Sequence, residues 1–505
     1  MRKGAANELG WVDELAIEIF NGHTLAGLAV GIVRDGKLVH FAGVGLADAE
    51  TGRRVDVDTV FRIGSISKTF TGIAVLQLAE EGLLTLDDPV NEHLRGFRIE
   101  HDDPAAPPVT IRHLLTHTAG LGELRRWSDL VRPTIGLASK VDRPLPSLRD
   151  FYAPVLRAEL EPGAKWAYAN HGFAALGQLV EDVGGEPFAE RLRRRIFEPL
   201  GMEETDFLRT ERVRSGLAIG YALRRGGLKP VKDTEIVVAP AGSIFSTTTD
   251  MARYAAALAN GGAPLLRPET FAQMLAPQGD GDPRQPAMGL AFFLDRLGEH
   301  RVAGHDGGWP GFISSLLVAP DVGVGVLAFT NTTAALAPHS VTERALARLL
   351  GVPDAAETEL RAVPASPHLW PELAGIYKPL PGLGTNFRWW QLLGGEVEVG
   401  VRAGRLTARA PSPLKALRKG VRLDAVDPGD PLSFEIRQGE VVLPVRFARG
   451  ENGQITSVST ASTRGGFLEL HRRPRATSVR LWGQACAGAA ALGAGSALLR
   501  RRRRR

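Results

Sequence analysis

The chain is short of cysteine. Its 505 residues contain one, Cys486, which excludes a disulfide framework within the chain and any zinc site built on thiolates. The start lacks a long apolar run: Met1-Arg2-Lys3-Gly4 is followed by Glu8, Asp13 and Glu14. A secretory signal needs a charged start and then an apolar core, so the sequence predicts a protein that stays in the cytoplasm. Gly-x-Ser-x-Gly is absent, which argues against an α/β-hydrolase. His113 and His117 have metal-ligand spacing on a helix, but no Glu stands between them as in His-Glu-x-x-His. Both are read as structural, and neither a metal nor a cofactor is expected.

What is present is ordinary in bulk and uneven in charge. With 44% hydrophobic and 23% charged residues, the chain is neither disordered throughout nor a polytopic membrane protein. The net charge is +5, but ten of the 61 Lys and Arg fall in Arg472–Arg505, where Asp and Glu are absent, leaving −5 for residues 1–471. A mildly acidic body predicts no nucleic-acid partner. The tail is unusual: Leu481 to Leu499 carries no charge and precedes six consecutive Arg. Nineteen uncharged residues can just span a bilayer. Membrane contact through residues 481–505 is therefore the alternative to a cytoplasmic protein, although Ala and Gly make the apolar drive weak.

The composition shifts once. Residues 1–350 mix helical and strand patterns, 351–370 form a Pro-containing linker, and 371–472 read as short alternating strands. The tail occupies 473–505. Ala29 to Gly45 reads as a hairpin turning at Asp35-Gly36. Ser67 to Glu81 reads as a buried helix closed by Gly82, and 110–117, 171–183 and 249–259 as further helices. Strand patterns return at 316–318 and 324–329. Strands at both ends with helices between predict an α+β fold, an antiparallel sheet flanked by helices with a helical subdomain. Val397–Val401 and Val441–Val445 belong to a small all-β barrel.

Three motifs carry chemistry. Ser65-Ile-Ser-Lys68 opens the buried helix, which sets Lys68 one turn on from Ser65 and on the same face. A Ser hydroxyl needs a neighbouring base to become a nucleophile, and a buried Lys can serve. The helix N-terminus offers N–H groups to a developing oxyanion. Ser412-Pro-Leu-Lys415 repeats the pattern in a turn of the β-domain and is read as coincidence. Tyr168-Ala-Asn170 and His305-Asp306-Gly307 follow in order, each the sole Tyr-x-Asn and His-x-Gly of the chain.

Ser-x-x-Lys, then Tyr-x-Asn, then His-x-Gly resembles the serine β-lactamases and penicillin-binding proteins, and within them the class C β-lactamase-like hydrolases that include family VIII esterases. Phe61–Lys68, Ile111–Leu121 and Pro162–Asn170 are similar to the same family. The β-domain resembles the lipocalin-like domain that some members carry. The resemblance implies that Ser65 is acylated and that Lys68 and Tyr168 share proton transfer. It implies that Asn170 holds Lys68 and the substrate amide, that His305 lines the far wall, and that the Ser65 and Gly308 N–H groups hold the oxyanion.

The expected activity is hydrolysis of an ester or amide, of a small molecule or a peptide, through a covalent acyl-enzyme, with an esterase leading. The same machinery would serve a D-aminopeptidase, a DD-carboxypeptidase or β-lactamase, or a peptide acyl-transferase or cyclase. A catalytically silent binding or sensor protein is the reading from another class. Where many relatives have Lys and then a hydroxyl residue, this chain has His305 and Asp306. A carboxylate from Asp306 in the pocket would repel substrate carboxylates and disfavour β-lactams and free C-terminal peptides.

Overall fold

The predicted hairpin forms the fifth and sixth strands of a seven-stranded sheet. The computed structural model describes residues 8–141, 143–279, 287–333, 337–353, 366–379, 393–427, 429–438, 441–462 and 466–478. Strands β1 (Gly27–Arg34) and β2 (Lys37–Asp48) pair in register Arg34 to Lys37. Asp35 and Gly36, at φ +53° and +74°, make the two-residue turn between them, a turn whose twist matches that of the strands.

β3 (Arg53–Arg54), β4 (Phe293–Leu297), β5 (His300–Trp309), β6 (Phe312–Ala319) and β7 (Val324–Thr330) complete an antiparallel sheet in the order β4-β5-β6-β7-β1-β2-β3. The first strands of the chain thus lie beside strands from nearly 300 residues later; Val30 faces Ala328 in the register.

Alternation along β1 divides the interior in two. Leu28, Val30 and Ile32 pack on one face with helices α1 (Trp11–Gly22) and, later in the chain, Ala337–Leu349. Ala29 and Val33 belong to the larger core on the other face. That core contains α2 (Ser67–Glu80), the short helix α3 (Ile111–Leu115), α4 (Asn170–Gly184) and α5 (Thr248–Ala259); Ala337–Leu349 is α6. Helix α2 is buried from Ser67 through Leu78 on every side, so it has no solvent-facing stripe.

The second compact unit comprises the described residues from 366 to 478. It is a nine-stranded antiparallel sheet. Its outermost strands, Val421–Arg422 and Asp424–Ala425, come from one continuous segment. That segment pairs with Arg405–Arg409 on one side and Ser433–Gln438 on the other, so the sheet nearly closes on itself as a barrel. Val399, Leu406, Val445, Phe447, Val458 and Leu468 fill its interior around an apolar cavity of about 270 Å³. Among the described residues no helix is long and apolar enough to cross a membrane; the 481–505 stretch lies outside them.

One close approach in the larger unit fixes how α4 meets the rest of the site. Gly177 faces the turn Ala239–Ala241, and a Cβ on it would lie 2.1 Å from Pro240 Cγ. Gly177→Ala is expected to push that turn outward and destabilise the unit by about 1–3 kcal/mol, as overpacking does, measurable by chemical denaturation.

Candidate active site

Ser65 is presented by a strand that ends in a forced turn. Phe61–Arg62 pairs with Phe245–Ser246, and Arg62 is fully buried beneath it. The guanidinium donates to Thr234 O at 2.6 Å, pairs with Asp233 at 3.1 Å and lies 4.5 Å from the centre of the Phe245 ring. A buried cation is tolerated because these partners are in place. The chain then enters the 3₁₀ turn Gly64–Ile66, which runs into α2.

Two glycines let this turn touch β5. Gly64 has φ +52°, and a Cβ there would lie 2.6 Å from the Gly308 nitrogen. A Cβ on Gly307 would lie 2.0 Å from Ile63 O. Only backbone without side chains can approach this closely. Gly307 and Gly308 therefore lie against the turn that carries Ser65, with the Gly308 amide beside Gly64.

Lys68, one turn along, is fully buried, whereas Ser65 and Tyr168 are half-buried. Lys68 Nζ is 3.0 Å from Ser65 Oγ. It donates to Asn170 Oδ1 at 2.8 Å and to the Ala241 carbonyl at 2.8 Å. With two N–H groups engaged in this way, the lone pair of a neutral amine is directed at the Ser65 hydroxyl, as removal of its proton requires. Asn170 is the first residue of α4, so helix entry places its amide. The next residue anchors that entry: the Tyr152 hydroxyl donates to His171 Nδ1 at 2.8 Å. Burial and the nearby Arg125 hold the His171 pKa down at about 4, so the ring stays a neutral acceptor.

Tyr168 sits over Lys68, whose Nζ is 4.8 Å from the ring centre. Around it stand His117 at 4.4 Å, Trp166 at 6.3 Å and His305 at 6.3 Å between ring centres. Phe293 packs on His305 at 5.0 Å. Tyr168 is thus set among aromatic rings. His305 donates from Nδ1 to the Asp306 carbonyl at 2.5 Å, which sets the ring orientation.

Of the residues proposed from the sequence, Ser65, Lys68, Tyr168, Asn170, His305, Gly307 and Gly308 come together here. Asp306 does not. Strand residues alternate in direction, and while His305 faces the site with Ala303, the Asp306 carboxylate lies on the opposite face, 3.2 Å from His339 Nδ1 on α6. Its strand partner Ser315 bonds Thr342 of the same helix at 2.8 Å. Asp306 ties the sheet to α6, and the expected repulsion of substrate carboxylates has no geometric basis.

The Ala241 carbonyl, Phe293 and His117 were not identified from the sequence as parts of the site. A backbone carbonyl leaves no sequence signal. His117, read as structural, does lie in a stretch already singled out, 111–121. It shares no partner with His113, whose Nδ1 accepts from Thr110 N–H at 3.2 Å in the N-terminal cap of α3. Among the described residues no group of three or more His, Cys, Asp or Glu is placed to hold a metal.

The chain was compared with known proteins. Residues 12–350 match the family described as Beta-lactamase. Esterase EstB of Burkholderia gladioli is 31% identical over 373 residues, which cover 65% of this chain and 91% of that protein. A crystal structure of SurE is 26% identical with a TM-score of 0.63, covering 93% of this chain and 100% of that one. A D-stereospecific amidohydrolase from Streptomyces sp. is 26% identical with a TM-score of 0.52, covering 64% and 94%.

The position of Asp306 has a consequence for specificity. Asp306→Asn is expected to leave the ratio of ester to anionic β-lactam turnover unchanged within about twofold. It should cost about 1 kcal/mol of stability through the weakened His339 contact. Parallel kinetics and denaturation of the variant check both.

Proposed function

Because the chain belongs to the Beta-lactamase family of serine hydrolases, we propose that it hydrolyses carboxylic esters through an acyl-enzyme on Ser65. One observation carries this reading: a fully buried Lys68 amine lies 3.0 Å from the hydroxyl of a half-buried Ser65 and is held there by two further acceptors.

The steps follow from the geometry. Ser65 Oγ adds to the ester carbonyl carbon while its proton passes to the Lys68–Tyr168 pair. The carbonyl oxygen becomes an oxyanion facing the Ser65 and Gly308 amides, whose fixed dipoles stabilise it. The C–O bond to the alcohol breaks as the pair returns the proton to the leaving oxygen. Water then attacks the acyl-Ser65 carbonyl, giving its proton to the same pair, and the carboxylic acid leaves with Ser65 restored.

Esters are preferred over β-lactams for two reasons. The third motif supplies the imidazole of His305 where many relatives place a fixed cation for a substrate carboxylate. The resemblance to Esterase EstB extends over nearly that whole protein. The 26% identity to a D-stereospecific amidohydrolase favours a second reading, hydrolysis of an amide at a D-amino acid.

Wild type and Ser65→Ala, each given p-nitrophenyl butyrate, nitrocefin and D-Ala-p-nitroanilide, test the proposal. Ester turnover should be the fastest of the three and fall by at least about 10⁴-fold in the variant. A covalent mass shift should appear on wild type alone. Faster turnover of nitrocefin would replace the ester reading with a β-lactamase, and faster turnover of the anilide would replace it with the amidase.

A further inference from the structure

Tyr168 lies in irregular chain between Pro162 and the start of α4, where it has no sheet or helix ladder to hold it. The cap residue of α4, Ala169, has no side-chain cap bond. What fixes this segment comes from the turn that follows α3. Gly120 O accepts from Glu159 N and Leu160 N, and Thr118 O accepts from Gly163 N at 2.8 Å. His117 supplies the last two acceptors. Its carbonyl takes the Ala167 amide at 2.8 Å, and its Nδ1 takes the Ala169 amide at 3.2 Å. One residue thus brackets Tyr168 on both sides.

To do this, His117 adopts φ +59°, a left-handed conformation uncommon for any residue but glycine, in which Asn, Asp and His are over-represented. Strain of this kind persists only where surrounding contacts over-determine it. The ring is buried against Tyr168 at 4.4 Å, Phe173 at 5.1 Å and Trp166 at 5.8 Å. Burial holds its pKa well below the usual imidazole range. Nδ1 therefore keeps the lone pair that the Ala169 amide needs.

We propose that His117 is the positioning residue for Tyr168: its carbonyl and its Nδ1 accept the amide protons on either side of that tyrosine and hold the phenol over Lys68. The contribution to rate rests on the reading that Tyr168 shares proton transfer with Lys68; the clamp itself does not.

Two measurements separate these. In the wild type, ¹⁵N–¹H correlation of the imidazoles should show His117 neutral with its proton on Nε2 at about pH 6. A proton on Nδ1, or a charged ring, would overturn the clamp whatever the protein hydrolyses. The second compares His117→Asn with His117→Gln. Asn tolerates the left-handed backbone and places Oδ1 where Nδ1 was; Gln carries the same amide one bond too far. Asn should keep kcat for p-nitrophenyl butyrate within about threefold, whereas Gln should lose roughly ten- to hundredfold with KM little changed, as a misplaced group near 1 Å does. Thermal melts of both variants establish that the folded enzyme is being compared. Equal kcat in folded Asn and Gln variants would overturn the positioning role. Labelling of Ser65 by a fluorophosphonate in wild type shows independently whether the acyl-enzyme reading stands.

Discussion

The site is organised by the need to satisfy one buried amine. A Lys nitrogen removed from water must have hydrogen-bond partners or its burial is prohibitively costly. Lys68 finds them in three separate parts of the chain: the turn at Ser65, the first residue of α4 and the carbonyl of Ala241. Satisfying that nitrogen therefore holds α2, α4 and the 239–241 turn in register with one another. The same partners hold the nitrogen against Ser65 Oγ, so the demand of burial and the demand of the proposed proton transfer coincide.

The sheet supplies the second constraint. Because its strands alternate, each one serves two interiors. On β5, His305 meets Tyr168, while Asp306 meets α6 through His339. A single dipeptide thus contributes a pocket wall and a structural tie. Gly307, and Gly64 opposite it, are required to be glycine because the two backbones pass within contact distance. The oxyanion-binding geometry proposed here is a consequence of that approach, which any side chain would block.

Much of the fold was legible in residue patterns. The Asp35-Gly36 turn, the buried helix after Ser65, the pairing of early and late strands and the β-rich C-terminal unit each have a local signature of period or turn chemistry. The reading of Asp306 failed for a definable reason. Val302 and Ala303 are both apolar and both buried, so the run into the motif does not reveal which phase of the strand faces which core. A shift of one residue exchanges the two faces. His117 was undervalued because a left-handed backbone and an acceptor role toward residues 50 positions away have no composition signal.

By itself, the sequence determined which functional groups are available and in what order: a serine and lysine one turn apart, a Tyr-x-Asn at a helix entry, and a glycine-rich third motif. These follow from side-chain identity and short-range periodicity, which are local properties. Only the tertiary structure decided the phase of β5, the choice of the Ala241 carbonyl as a ligand of Lys68 and the bracket that His117 places around Tyr168. Those contacts use backbone groups that every residue carries, so their partners are chosen by how distant segments pack and not by what the residues are.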